Sequence, residues 1–444
     1  MQTYLIRTFG CQMNKHDSER VAGLLGAQGL EPVEAAEDAD VVVFMTCCVR
    51  ENADERLRGQ VRSLKSVKAA RPGQLIAVGG CIGQRDGETL LRQIPHIDVV
   101  FGTHNLAHLP ALLESARQQH QPQVEVLAES TDFNSDLPTV REHRWHAWVP
   151  ITSGCNNFCS YCIVPHVRGR ERSRTLEDIV TEVEGLVSQG VLEVTLLGQN
   201  VNSYGRDLYG EPRFAEALRA VGATGIKRIR FATSHPKDLS ADTIAAMVEV
   251  DAVMPYVHLP VQSGSDTVLA AMNRHYTQAD YLALVERIKA ALPHIAISTD
   301  IIVGFPGETE QDFEGTLEIV RAVGFDQAFT FIYSPREGTP AARMDGQVPR
   351  EVSQERFDRL IELVQSSALE NSLSLVGTVQ PILIEGTSKR DETMLAGRTR
   401  TNKMVHAPLP EGHVADEYAG RIVDVVIDHA QTWFLSGQLA GTDQ

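Results

Sequence analysis

Residues 154–162 read Gly–Cys–Asn–Asn–Phe–Cys–Ser–Tyr–Cys, which sets Cys155, Cys159 and Cys162 at C-x3-C-x2-C spacing. No cysteine follows in the remaining 282 residues. Three thiolates on one short loop can hold three corners of a 4Fe–4S cube. The fourth iron then stays open to a small molecule. A closed zinc site needs four ligands, and no His or Cys stands at a workable fourth spacing. The loop therefore reads as a place for chemistry rather than for storing an electron.

The surroundings of this loop decide the fold. Candidate strands 147–152, 193–198, 228–233, 256–261, 296–304 and 328–334 alternate with helical stretches such as 176–190. Strand–helix alternation predicts a mainly parallel sheet. Residues 146–335 are too few for a full eight-fold barrel, which takes about 250. A six-unit partial barrel fits, and residues 350–375 read as a helix crossing back over it. Upstream, 1–130 form another α/β unit with strands at TYLIRTF, DVVVFM and QLIAVGG. The polar, proline-bearing stretch 131–145 reads as a linker. Downstream, 376–441 break into short alternating segments with glycine turns, the pattern of a small antiparallel β-barrel.

All seven cysteines fall before residue 163. An odd, clustered set points to metal ligation in a reducing cytosol rather than to a disulfide framework. No basic leader with an apolar core opens the sequence, and no run approaches the ~18 apolar residues of a membrane span. The expected location is cytoplasmic.

Cys11, Cys47 and Cys81 each stand just past a predicted strand. In open α/β sheets that edge is where ligands bind. Three strands of one sheet can aim three thiolates at one spot, and Gly10, Gly79 and Gly80 would allow a bulky cube to approach closely. Cys48 neighbours Cys47 and leaves the strand in the opposite direction. Both therefore do not ligate one cube, and strand direction alone leaves the choice between Cys47 and Cys48 open.

The net charge is −17, which disfavours a general nucleic-acid binder. Two basic islands stand against it. Residues 386–406 carry five Lys/Arg (Lys389, Arg390, Arg398, Arg400, Lys403) against two acids, and 163–174 carry Arg168, Arg170, Arg172 and Arg174 against one. If extended, the latter four line one face toward phosphates or a carboxylate; internal ion pairs are the other reading.

The three-cysteine loop, with Tyr161 before its last cysteine, resembles the radical S-adenosylmethionine enzymes. Together with TFGCQMN (8–14), TCCVRENA (46–53), GGCIGQ (79–84), GRERSR (169–174), LGQNVNSYG (197–205), HLPVQSGS (258–265) and YSPREGTPAA (333–342), it resembles the methylthiotransferases over essentially the whole chain. The tail resembles the TRAM RNA-binding module. The order Thr46–Cys47 matches a family motif in which the cysteine after Thr is the ligand, and Met45 stands where that motif usually has Asn. The resemblance implies two 4Fe–4S clusters, on Cys155/Cys159/Cys162 and on Cys11/Cys47/Cys81. It implies two molecules of S-adenosylmethionine, one methylating a sulfide on the auxiliary cluster and one cleaved to a radical.

The runs at 197–205 and 333–342 look most like the branch acting on C2 of N6-isopentenyl adenosine at position 37 of tRNA. That carbon has no acidic proton and no leaving group, so acid–base or nucleophilic catalysis offers no route. Implied partners are a tRNA anticodon stem-loop and a low-potential donor of the flavodoxin or ferredoxin type, with no membrane and a monomeric chain. The sequence names no sulfur donor. Tyr161, Gln199, Asn200, Ser234, Gln262 and Asp300 are the candidates for contacts to S-adenosylmethionine or the adenosine, against loop packing and helix capping. His235 and His258 read better as core histidines. Lys389, Arg390, Arg398, Arg400 and Lys403 are the candidate RNA contacts. Rival readings are methylthiolation of a ribosomal-protein aspartate or of threonylcarbamoyl adenosine. A non-catalytic iron–sulfur RNA-binding redox sensor is the rival from another class.

Overall fold

A computed structural model describes residues 1–47, 51–128, 133 and 135–441. Cys48 lies outside the described residues, as do residues 131, 132 and 134 of the expected linker.

The first unit is a six-stranded parallel sheet. Its strand order is Glu31–Pro32, Thr3–Thr8, Val41–Thr46, Leu75–Gly80, Val99–Phe101 and Gln123–Glu125. Every residue of Val41–Thr46 and Leu75–Gly80 is buried, because helices cover both faces of these central strands. That is why VVVFM and LIAV read as continuous apolar runs rather than alternating ones. Pairings Thr8↔Met45, Met45↔Gly79 and Thr46↔Gly80 level the strand ends. Cys11, Cys47 and Cys81 therefore leave one edge of one sheet.

Six further parallel strands form the middle unit: His146–Pro150, Glu193–Leu197, Arg228–Phe231, Tyr256–His258, Ala296–Val303 and Gln327–Ile332. They hydrogen-bond as two three-stranded sheets, joined through a bridge between Ile229 and Val253. The six expected strands are all present. Their helices start on threonine or serine caps: Thr175 accepts from the Asp178 amide, and Thr277/Asp280 and Thr309/Asp312 form reciprocal capping boxes. One core of branched aliphatic and aromatic side chains, including Val149, Leu196, Ile229, Val257, Ile301 and Phe325, fills the space between strands and helices. Helix Arg350–Leu373 buries Leu360 and Val364 against this core beside the last strand.

The tail closes into a barrel in the order Val379–Ser388, Asp391–Arg398, Met404–Pro408, Phe434–Leu439 and Ile422–Ala430. The antiparallel expectation needs one correction: Met404–Pro408 and Phe434–Leu439 run parallel. Five strands in a closed ring cannot alternate direction throughout, so closure requires a parallel pair.

This barrel docks on the start of the middle unit's strands. Arg228 and Arg230, both buried, flank the Glu193 carboxylate at 2.9 and 3.1 Å. Each also donates to the Thr399 carbonyl at 2.9 Å. Arg400 reaches Asp251 at 3.3 Å and Lys403 reaches Asp326 at 2.8 Å.

Candidate active site

The Cys155–Cys162 loop follows the first strand of the middle unit and is held from several directions. Ser160 donates to the Ala271 carbonyl and its amide to Met272, while the Asn273 side chain donates to the carbonyls of Asn157 and Phe158. Gly154 sits at φ +79, and a Cβ there would lie 2.1 Å from the Arg170 carbonyl oxygen, so no other residue fits this turn. Arg170 stacks on the Phe158 ring at 4.5 Å.

Arg274 is buried beside this loop. One nitrogen points at Cys159 Sγ at 3.4 Å, another donates to the Pro260 carbonyl at 3.0 Å, and Nε donates to Tyr276 at 3.1 Å. Sequence reasoning passed over Arg274, because it lies 115 positions from Cys159 and in no cysteine motif. Burial pushes the Cys155 thiol up to about 11 and the Cys162 thiol up to about 12. Without metal these thiols stay neutral, and loading a cluster must release their protons.

At the carboxyl ends of the middle strands lie buried polar atoms with no partner among the described residues: Thr152 Oγ1, Gln199 Oε1, Asn200 Oδ1, Asn202 Nδ2, Ser234 Oγ and His235 Nε2. Buried polar atoms are normally satisfied, so six orphans together mark a site for a polar ligand. Of the expected contacts, Gln199, Asn200 and Ser234 belong to this group. Asn200 also donates to Asp238 at 2.7 Å. Thr152 and Asn202 were not singled out from the sequence; Asn202 lay inside the quoted run LGQNVNSYG, and its placement beside a strand end was the available signal. His235, read as a core histidine, is buried here with one ring nitrogen unpartnered among the described residues. Burial drives the His235 imidazole far below its ordinary range, so it is neutral; its Nδ1 accepts from the Lys237 amide at 3.3 Å, which leaves Nε2 as the protonated donor.

Gln262 and Asp300 are not among these orphaned groups. Gln262 is buried at φ +69 and its backbone is tied to Asp300 and Ile302. Asp300 lies within a strand rather than at its end, and its carboxylate faces His258 Nε2 at 3.4 Å. His258 Nδ1 meets Ser298 Oγ at 2.9 Å, and Ser298 meets Tyr256 at 2.7 Å. Tyr161 packs with Met272, Phe305 and Ala341.

The Arg168–Arg174 alternation does not produce one cationic face. Arg168 ends the short helix Val164–Val167 and is buried against Asn14 and Asp17; Arg174 is buried on Glu182 at 2.5 Å. Bends at Arg168 and Arg170, with Gly169 between them at φ +75, break the period-two pattern that an extended chain would show.

Cys11 and Cys47 lie side by side past the ends of their strands, and Cys81 opens helix Cys81–Asp86 directly after the next strand. Gly10 takes φ +111, and a Cβ on it would lie 2.1 Å from Cys47 Cβ and 2.9 Å from Cys47 Sγ. A hydrogen bond with Cys47, aided by Arg168 and opposed by burial, brings the Cys11 thiol down to about 6. Thr46 Oγ1 donates to the Gly79 carbonyl and accepts from the Ile82 amide, which locks the Cys47 and Cys81 segments together. Met45 is fully buried in an apolar core with Val41, Val43 and Phe101, so an Asn there would have to be buried among apolar side chains. Among the described residues no three His, Cys, Asp or Glu side chains converge on a single metal ion. In a cube each thiolate binds its own iron, so convergence on one point is not what this set requires.

Of the five tail cations, Arg398 pairs with Glu385 at 3.0 Å, while Arg400 and Lys403 hold the docked interface. Lys389 and Arg390 are exposed on the turn at the other end of their hairpin.

Three family profiles match this chain: the Radical SAM superfamily over residues 149–320, the uncharacterized protein family UPF0004 over 3–102, and the TRAM domain over 373–440. A tRNA-2-methylthio-N(6)-dimethylallyladenosine synthase from Streptomyces viridosporus is 52% identical over 435 residues, spanning 97% of this chain and 86% of that protein. The chain belongs to this synthase family. A relative of the same name from Carboxydothermus hydrogenoformans is 49% identical over 441 residues and covers 99% of both chains. Among solved structures, the radical S-adenosylmethionine methyltransferase TsrM from Kitasatospora setae is similar, with a TM-score of 0.55 at 14% identity over 77% of this chain and 74% of that one. That likeness supports the fold.

Membership of the radical SAM superfamily implies a 4Fe–4S cluster and S-adenosylmethionine. The donor set fits: three cysteines on a clamped loop, with the orphaned polar atoms at the strand ends of the same unit. No helix among the described residues is long and apolar enough to cross a membrane.

Proposed function

We propose that this chain transfers a methylthio group to C2 of the adenine in N6-isopentenyl adenosine at position 37 of tRNA. The observation that carries this reading is similarity at about half identity, over nearly the full length, to synthases of that name. Support from the chain itself is its two sets of three cysteines, one on the Cys155–Cys162 loop and one at the ends of three neighbouring strands of one sheet.

In this reading Cys155, Cys159 and Cys162 hold the first cluster, and Cys11, Cys47 and Cys81 hold a second 4Fe–4S cluster. When bound, these groups and S-adenosylmethionine supply hydrogen-atom abstraction, methyl transfer and sulfur delivery. The protein's part is binding, orientation and exclusion of water. Arg274 keeps a fixed positive charge beside Cys159 and offsets the negative charge that three thiolates bring into a buried loop. Thr152, Gln199, Asn200, Asn202, Ser234 and His235 offer hydrogen bonds to the polar atoms of S-adenosylmethionine or the nucleoside. Tyr161, Gln262 and Asp300 shape the same interior.

The target base must leave its loop stack to enter, as single-stranded RNA bases can. Lys389 and Arg390 take phosphates of the anticodon stem-loop, a contact that positions without reading sequence. The chain acts as a cytoplasmic monomer, reduced by a flavodoxin- or ferredoxin-type protein.

Nucleoside mass spectrometry of tRNA from a strain lacking this gene tests the assignment. The expected result is loss of the 2-methylthio form with accumulation of N6-isopentenyl adenosine, reversed by the wild-type gene. An unchanged 2-methylthio level would refute the substrate.

A further inference from the structure

Arg168 belongs by sequence to the first cysteine loop and by contact to the second site. It follows Cys162 by six residues, at the end of helix Val164–Val167. Ile163 and Val167 bury themselves in the core of the first unit, together with Cys81 and Ile82. The Val167 carbonyl accepts from Thr103 at 2.9 Å. The helix thus delivers Arg168 into the neighbouring unit.

There its guanidinium is held on one side by Asn14 Oδ1 and Asp17 Oδ2, each at 3.2 Å. Both residues lie in the first turns of helix Gln12–Ala27, which Cys11 caps. Asn14 is fixed in turn by the Phe9 carbonyl at 2.7 Å, and Asp17 by His16 at 3.1 Å. The guanidinium also donates to the Cys81 thiol and lies within charge-interaction range of Cys11. Arg168 and Asp17 are both buried, with side chains 7% and 8% exposed. A plain interdomain ion pair needs only the aspartate. Here the geometry leaves N–H donors aimed at cysteine sulfur.

We propose that Arg168 is a positioning and charge-compensating residue for the Cys11/Cys47/Cys81 site, supplied in trans across the domain boundary by the loop that carries the other three cysteines. This rests on the reading that Cys11, Cys47 and Cys81 hold a cluster. Three thiolates bring negative charge into the junction, and an added electron or an anionic sulfur ligand brings more. Guanidinium cannot release its proton, so its charge persists in all of these states. N–H donors to ligand sulfur and a nearby cation favour the reduced, more negative form. Asp17 aims the guanidinium and partly cancels its charge. The second site is then complete only when the first loop is docked, which couples assembly of the two.

The test uses the full chain with Cys155, Cys159 and Cys162 all changed to Ala, reconstituted anaerobically so that one cluster remains. Its midpoint potential is read by EPR-monitored titration. Arg168→Gln should lower the ratio of reduced to oxidised cluster at a given potential at least tenfold, a fall of about 59 mV for one electron. Arg168→Lys, which keeps the charge, should recover most of that. Asp17→Asn, which removes the opposing charge, should shift the potential upward. Opposite signs for Arg168→Gln and Asp17→Asn are what a merely structural ion pair would not produce. Shifts below threefold in both variants, or shifts of the same sign, would overturn the proposal. If Arg168→Gln does not fold, Asp17→Asn and Arg168→Lys decide alone: a rise in the first with near-parental potential in the second supports it, and any other pair of results rejects it. Absence of a cluster in the parent itself overturns the two-cluster reading, and this proposal with it, and is recognised by iron content before any Arg168 variant is made.

Discussion

Glu193→Gln is the most informative single perturbation of the docked tail. Glu193 is 7% exposed and faces two buried guanidiniums, Arg228 at 2.9 Å and Arg230 at 3.1 Å. These contacts are close charge pairs without aligned hydrogen bonds at the Nε atoms, so their strength is mainly electrostatic. Burial already holds the Arg228 guanidinium down at about 10. Removing one member of a buried pair costs about 3–5 kcal/mol, because the remaining charge is left uncompensated. Here one carboxylate serves two cations two residues apart on the same strand, so the cost falls at the upper end, near 5 kcal/mol. Those guanidiniums also hold the carbonyls of Arg398 and Thr399, so the loss is concentrated at the seat of the terminal barrel. Urea unfolding should show a destabilised transition, and limited proteolysis should cut near residues 374–379 ahead of the rest. Arg230→Met, which leaves Glu193 paired to Arg228, should cost less than Glu193→Gln. A Glu193→Gln effect below ~1 kcal/mol, with unchanged proteolysis, would refute a dry interface held by this triad.

Gly10→Ala should halve the iron of the reconstituted chain, from about eight to about four per molecule, because the new methyl meets Cys47 at 2.1 Å; full iron content would reject the packed second site. Burial keeps the His146 imidazole neutral by lowering it from 6.5 to about 4. The unfolded chain therefore binds this proton first, and stability falls by ~3 kcal/mol as pH drops from about 6.5 to about 4. His146→Gln should flatten urea midpoints across that window relative to wild type, and parallel slopes would contradict the assignment. The double change Lys389→Ala with Arg390→Ala should reduce the salt slope of RNA binding by ~1–2, whereas an unchanged slope would place the phosphates elsewhere.

The strands and the cysteines at their ends were legible because their signals are local. Runs such as VVVFM followed by Thr46–Cys47 carry burial and chain direction together, and C-x3-C-x2-C needs only one loop. The pull of six strand ends to common edges follows from parallel pairing. Less legible was the state of each cation. Arg398, Arg400 and Lys403 share a basic stretch with Lys389 and Arg390, yet the first three meet Glu385, Asp251 and Asp326. Charge composition counts arginines but does not say which carboxylate lies opposite.

The sequence by itself determined where two sets of three cysteines fall: one on a loop of a partial barrel, the other at a parallel sheet edge. Spacing and periodicity suffice for that, since both act within a few residues. The tertiary structure alone decided how these parts face one another. It put Arg274 against Cys159 across 115 positions, carried Arg168 from the first loop to Cys81, and left six polar atoms at the strand ends without partners among the described residues. Those outcomes depend on long-range register and on which groups lose water together, quantities that no local pattern contains.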